Sequence, residues 1–163
     1  MGDDRMRTCS ILIAAEADLA PLAAELAAAL PDRGFVALSG DLGAGKTTFV
    51  KAVAAAVGID PGEVVSPTFG LIHVHASPTR RIVHADMYRL AAPADLHEIG
   101  WDDALAAPGW AFVEWPERIA AALPADRLDV EIRIDAPTAR TFTLRGHGSA
   151  HEAVVERLAG RHG

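Results

Sequence analysis

Residues 35–57 read FVALSGDLGAGKTTFVKAVAAAV, and this stretch decides the fold class. Phe35 to Ser39 is a short apolar run bounded by turn residues, which predicts a buried strand. It runs straight into Gly40-Asp41-Leu42-Gly43-Ala44-Gly45-Lys46-Thr47, a match to G-x-x-x-x-G-K-[ST]. Lys46 to Val57 then predicts a helix, stopped by Gly58 and Pro61. A phosphate-gripping loop needs this strand–loop–helix setting. Glycines let successive N–H groups curl into one concavity, and the following helix adds the partial positive charge of its N-terminus. The candidate nucleotide-binding residues are therefore Asp41, Leu42, Gly43, Ala44, Gly45, Lys46, Thr47 and Thr48. Lys46 supplies a cation for the outer phosphates and the Thr47 hydroxyl a ligand for Mg²⁺, with ATP or ADP the expected nucleotide.

Outward from the loop, Thr8 to Ala14 predicts a strand, and Asp18 an N-cap before an Ala/Leu-rich helix ending near Leu30. Two β-rich runs, Phe69 to Ala76 and Arg80 to Met87, flank the turn Ser77-Pro78-Thr79 and predict an antiparallel hairpin. Short helices are expected over Ala94 to Ile99 and Asp102 to Ala106, and a strand over Trp110 to Val113. Strands over Leu128 to Ile134 and Thr141 to Arg145 and a helix from His151 to about Leu158 complete the chain. The fold class is α/β: a P-loop NTPase-like three-layer fold with a mixed, partly antiparallel central sheet flanked by helices. One domain over 1–163 is expected, with tails at about 1–7 and 159–163 and only a packing role for residues past Gly146.

Half of the 163 residues are hydrophobic, enough for one ordinary core. No run approaches a membrane span and no export signal opens the chain, so a cytoplasmic protein is expected. The single cysteine, Cys9, lies in an apolar run and is expected to be buried rather than reactive. A formal charge of −7 argues against direct binding to a phosphate backbone, so any RNA is expected to be held by another protein. Asparagine and glutamine are absent, and lysine occurs only at positions 46 and 51.

Catalysis also needs an acid for Mg²⁺ and a group that places the nucleophile. Glu114 ends the apolar run from Trp110 and Asp86 ends the run before it, so both carboxylates are expected near the loop. In Ser66-Pro67-Thr68-Phe69, proline restricts its neighbour and presents Thr68 from a defined backbone. Trp115, beside Glu114, is a candidate to border the nucleotide or else a core residue, and Arg140 a candidate to reach a phosphate or ribose or else a solvated surface arginine. His73 and His75 share a strand face and with His84 form a weaker candidate metal site without a fourth ligand.

GDLGAGKTT, SPTF, HADMYRL, LHEIGWDDAL and FVEWPER, in this order and spacing, resemble the bacterial TsaE (YjeE) family, the ATPase component of tRNA threonylcarbamoyladenosine (t6A) biosynthesis. The resemblance implies that Thr47 and Glu114 match the family's Mg²⁺ ligands, Asp86 the acid of its HxDxYR motif and Thr68 the threonine of a switch-like loop. Lys46, Asp86, Thr68 and Glu114 are then the catalytic candidates, with Asp86 or Thr68 positioning water. It further implies a slow, partner-dependent ATPase acting with two proteins of the TsaD and TsaB types, the threonylcarbamoyl transferase and its non-catalytic paralogue. The alternatives are a nucleotide-gated interaction module with negligible turnover and a small-molecule P-loop kinase. A GTPase is disfavoured, because without asparagine there is no N-K-x-D motif and without glutamine no usual water-orienting residue.

Overall fold

The computed structural model describes residues 8–65 and 71–162. Seven strands form one sheet in the order β1-β7-β6-β2-β5-β4-β3. They are β1 (Thr8–Ile13), β2 (Phe35–Ser39), β3 (Ile72–Ala76), β4 (Arg81–Asp86), β5 (Trp110–Glu114), β6 (Arg127–Ile134) and β7 (Arg140–His147). The centre is parallel, β6–β2–β5–β4, and both margins are antiparallel, β1–β7–β6 on one side and the β3–β4 hairpin on the other. The expected mixed sheet is the observed one.

Helices α1 (Leu19–Ala29), α2 (Lys46–Ala56) and α4 (Ser149–His162) supply the core of one sheet face. The second face is covered by α3 (Trp101–Ala106), a 3-10 turn at Pro93–Leu96 and a 3-10 segment at Pro116–Ala122. Side-chain parity explains the strand compositions. In β5, Trp110 and Phe112 enter the first core while Ala111 and Val113 enter the second, so a strand covered on both faces is apolar throughout. In β6, only Leu128, Val130 and Ile132 join the first core, and the residues between them are polar or charged. An edge-to-face contact of Phe49 with Phe142, centroids 5.2 Å apart, fastens α2 to β7.

Several local expectations are corrected. Asp18 makes no side-chain cap for α1; its carboxylate accepts from the Ala15 N–H at 3.2 Å, closing a 3-10 turn over Glu16–Asp18. The helix expected over Ala94 to Ile99 is the Pro93–Leu96 turn, since Pro93 can open a helical turn but only one turn follows. The last helix runs to His162, so 159–162 continue α4 instead of forming a tail. Residues 1–7 and Thr68, with the rest of Ser66–Phe69, lie outside the described residues.

Buried His151 anchors the start of α4: its Nε2 accepts from the Phe35 N–H at 3.2 Å, which leaves Nδ1–H to donate to Asp126 at 2.5 Å. The segment past Gly146 thus packs the sheet, as expected. Cys9 is buried, and burial pushes its thiol pKa up. Among the described residues, no helix is long and apolar enough to cross a membrane.

Candidate functional site

Parallel strands β2, β4 and β5 end together, and their carboxyl ends are where open α/β sheets hold ligands. Leu38 and Asp86 both pair with Glu114, so the glycine loop after β2 and the two acids meet by register alone. Gly43 and Gly45 have φ of 82° and 105°, left-handed values that curl the loop into the N-terminus of α2. Arg140 fixes the loop from outside: Nε donates to the Ala44 carbonyl at 3.0 Å and a terminal N–H to that of Gly43 at 3.3 Å. Its other terminal nitrogen binds the Ala136 and Ala139 carbonyls at 2.8 and 3.0 Å. The guanidinium therefore shapes the loop and is committed to carbonyls.

Inside the loop, Lys46 is only 5% exposed, and its ammonium donates to the carbonyls of Gly40 at 2.5 Å and Asp41 at 3.2 Å. Burial lowers its pKa, and the negative field of Glu114, Asp86, Glu117 and Asp41 partly opposes that. The same ammonium sits 4.3 Å from the centroid of Trp115. Trp115 holds φ 57° and ψ 51° directly before Pro116, a strained pairing for a bulky residue, and its ring leans on Tyr88 at 5.0 Å.

Glu114 is 4% exposed. Its Oε2 accepts from the Thr47 hydroxyl at 2.7 Å and from His84 Nε2 at 2.6 Å. The carboxylate is an acceptor only, so Nε2 carries the proton of that bond. Asp86 Oδ1 accepts from the Tyr88 N–H at 2.9 Å. Thr47, Thr48, Lys46, Asp86, Glu114 and Trp115 line one cavity of about 280 Å³ with Leu42, Gly43 and Gly45.

A second cavity, of about 230 Å³, lies on the other flank of the same loop and shares Gly43, Gly45 and Thr48. Ile13, Leu19, Pro137 and Phe142 give it apolar walls, and Glu16, Thr138 and Arg140 polar ones. Apart from Arg140, these wall residues were not candidates from the sequence, because they converge from two distant segments and carry no motif. The role of His84 was equally hidden, although its position two residues before Asp86 puts it on the same strand face. His73, His75 and His84 do not assemble a metal site: among the described residues no group of three or more His, Cys, Asp or Glu can hold a metal ion. His84 turns to Glu114 instead.

The oxygen donors of Thr47 and Glu114 suit a hard divalent cation such as Mg²⁺, and the curled N–H groups with Lys46 suit a polyphosphate. The family model for "Threonylcarbamoyl adenosine biosynthesis protein TsaE" matches residues 13–142. The "tRNA threonylcarbamoyladenosine biosynthesis protein TsaE" of Rickettsia bellii is 31% identical over 130 residues, covering 80% of this chain and 90% of that protein. Its counterpart in Treponema pallidum is 37% identical over 115 residues, covering 71% and 84%. The crystal structure of Bacillus subtilis YdiB superposes with a TM-score of 0.76 at 27% identity, over 94% of this chain and 95% of that one. With the glycine loop and both acids inside the matched span, the chain belongs to the TsaE family.

Proposed function

We propose that the chain binds ATP with Mg²⁺ and hydrolyses it slowly, in the service of t6A formation in the cytoplasm. The observation that carries this reading is the cluster of Lys46, Thr47 and Glu114 in one cavity at the end of the parallel strands. In it, the loop N–H groups and Lys46 hold the phosphates, and the ammonium leaves the Gly40 and Asp41 carbonyls to do so. Thr47 and Glu114 hold Mg²⁺, which when bound supplies charge neutralisation on the phosphates. Asp86, on the strand beside Glu114, positions water, a role open equally to Thr68. The apolar cavity behind Gly43 and Thr48 takes the base, with Phe142 and Leu19 as its walls. Trp115 borders the phosphates.

Among the described residues no arginine lines the phosphate cavity, and Arg140 is bound to carbonyls. That supports slow turnover and speaks against a small-molecule kinase, which needs arginines over its transferred phosphate. We assign the partners as the threonylcarbamoyl transferase and its paralogue, of the TsaD and TsaB types, with the acidic surface leaving tRNA to them. Isothermal titration with ADP and ATP in Mg²⁺ is expected to give saturable heat, and phosphate release to rise when the two partners are added. Absence of heat from correctly folded protein would remove the nucleotide reading. A t6A reconstitution that runs equally well without this chain would remove the functional one.

Arg140→Ala is expected to weaken ADP binding about tenfold, because the loop carbonyls of Gly43 and Ala44 lose charged donors worth about 1.5–3 kcal/mol each in place. The far-ultraviolet circular dichroism should be unchanged. Wild-type affinity in that variant would show that the loop holds its shape unaided.

A further inference from the structure

We propose that His84 is a positioning residue for the cation site, holding the Glu114 carboxylate at a fixed angle to the phosphate cavity; this rests on the nucleotide and Mg²⁺ reading above. A glutamate side chain has three rotatable bonds, and Glu114 reaches its position from the very end of β5. Its Oε2 takes two donors from two different elements, Thr47 on the first turn of α2 and His84 on β4. The Thr47 hydroxyl is itself assigned to the cation, so His84 is the donor with no other duty. Asp86 pairs with Glu114 across β4 and β5, which places His84 two register positions back, opposite Phe112, on the same sheet face. Both backbones belong to the sheet centre, so the 2.6 Å contact is fixed by register.

The surroundings of His84 show that the ring is kept for this one bond. Its side chain is fully buried, and Nδ1 has no hydrogen-bond partner among the described residues. Leaving a buried nitrogen unsatisfied costs stability, and an apolar side chain would continue the core of Ile82 and Phe112 without that penalty. Packing alone therefore favours another residue, while orientation of a buried carboxylate requires a donor where Nε2 lies. Partners one step removed from a metal ligand commonly change metal affinity by about 10–100-fold when lost.

The test compares ADP affinity with and without Mg²⁺ by calorimetry in the full chain and in His84→Leu, His84→Gln and His84→Asn. Glutamine can place an amide N–H near the position of Nε2; asparagine reaches only as far as Nδ1, and leucine offers no donor. His84→Leu and His84→Asn are expected to raise the half-saturating Mg²⁺ concentration about tenfold or more. His84→Gln should restore it to within about threefold, and Mg²⁺-free ADP affinity should be the same in all of them. Should the leucine variant fail to fold, the Gln–Asn pair carries the same contrast. Glu114→Gln serves as reference. If it removes the Mg²⁺ dependence while both His84→Leu and His84→Asn keep it, the role of His84 is overturned. If Glu114→Gln itself keeps it, the assignment of Glu114 to the cation fails instead.

Discussion

Glu114→Ala is expected to lower phosphate release about 100-fold or more while Mg²⁺-free ADP affinity changes by less than about threefold. Binding of the phosphates is assigned to the loop N–H groups and Lys46, none of which bonds to Glu114, so affinity has no strong reason to fall. Turnover does, because Glu114 is the buried carboxylate in contact with Thr47. Asp86 lines the same cavity from the neighbouring strand, but its Oδ1 already accepts from the Tyr88 N–H, and its shorter side chain does not replace a glutamate. The substitution also leaves the Thr47 hydroxyl and His84 Nε2–H without their acceptor, at a stability cost of about 1–3 kcal/mol for each that water cannot reach. A melting curve must therefore accompany the kinetics. Glu114→Gln separates the two effects, since the amide oxygen still accepts from Thr47 or His84 while the charge is gone. Wild-type phosphate release in folded Glu114→Ala would transfer the catalytic acid to Asp86.

The sequence makes the loop end of the sheet legible because strand ends are punctuated. Ser39 precedes Gly40, Glu114 precedes Trp115-Pro116, and Asp86 closes an apolar run; in a parallel sheet such ends lie side by side. What periodicity does not contain is the pairing between strands. Only the register of β4 on β5 brings His84 to Glu114, and His84 in isolation looks like one of three histidines on a β-hairpin. The apolar cavity escapes for the same reason, since Ile13, Leu19, Pro137 and Phe142 are adjacent only after β1 and β6 have both paired with β7. Trp115 was readable as a neighbour of the site but not as a left-handed residue laid over Lys46. Asp18 shows the converse failure: an aspartate before a helix is a common cap, and here its carboxylate is used three residues back, at Ala15.

Gly40→Ala is expected to lower the melting temperature by about 5–15 °C, and Gly43→Ala in the same loop by clearly less. Both glycines have positive φ, 151° and 82°, so handedness alone does not separate them. Space does. A Cβ on Gly40 would lie 2.7 Å from the Ile132 carbonyl oxygen and 3.1 Å from the Ala44 Cβ, whereas one on Gly43 meets nothing within 4 Å. The carbonyl cannot yield: Ile132 is a buried residue of β6, and the neighbouring Glu131 is paired to Ser39 at the end of β2. Relief must therefore come from the loop, which would drag the Gly40 carbonyl away from the Lys46 ammonium. Backbone strain and overpacking together amount to about 2–4 kcal/mol, and a chain of this length loses about 2–4 °C for each. At Gly43 the left-handed strain of about 1–2 kcal/mol is partly offset by the smaller conformational freedom of alanine in the unfolded chain, about 0.4–1 kcal/mol. The comparison needs no nucleotide, only two melting curves beside the wild type. If Gly43→Ala melts as low as Gly40→Ala, loop handedness governs, and the close approach of β6 to the loop contributes nothing measurable.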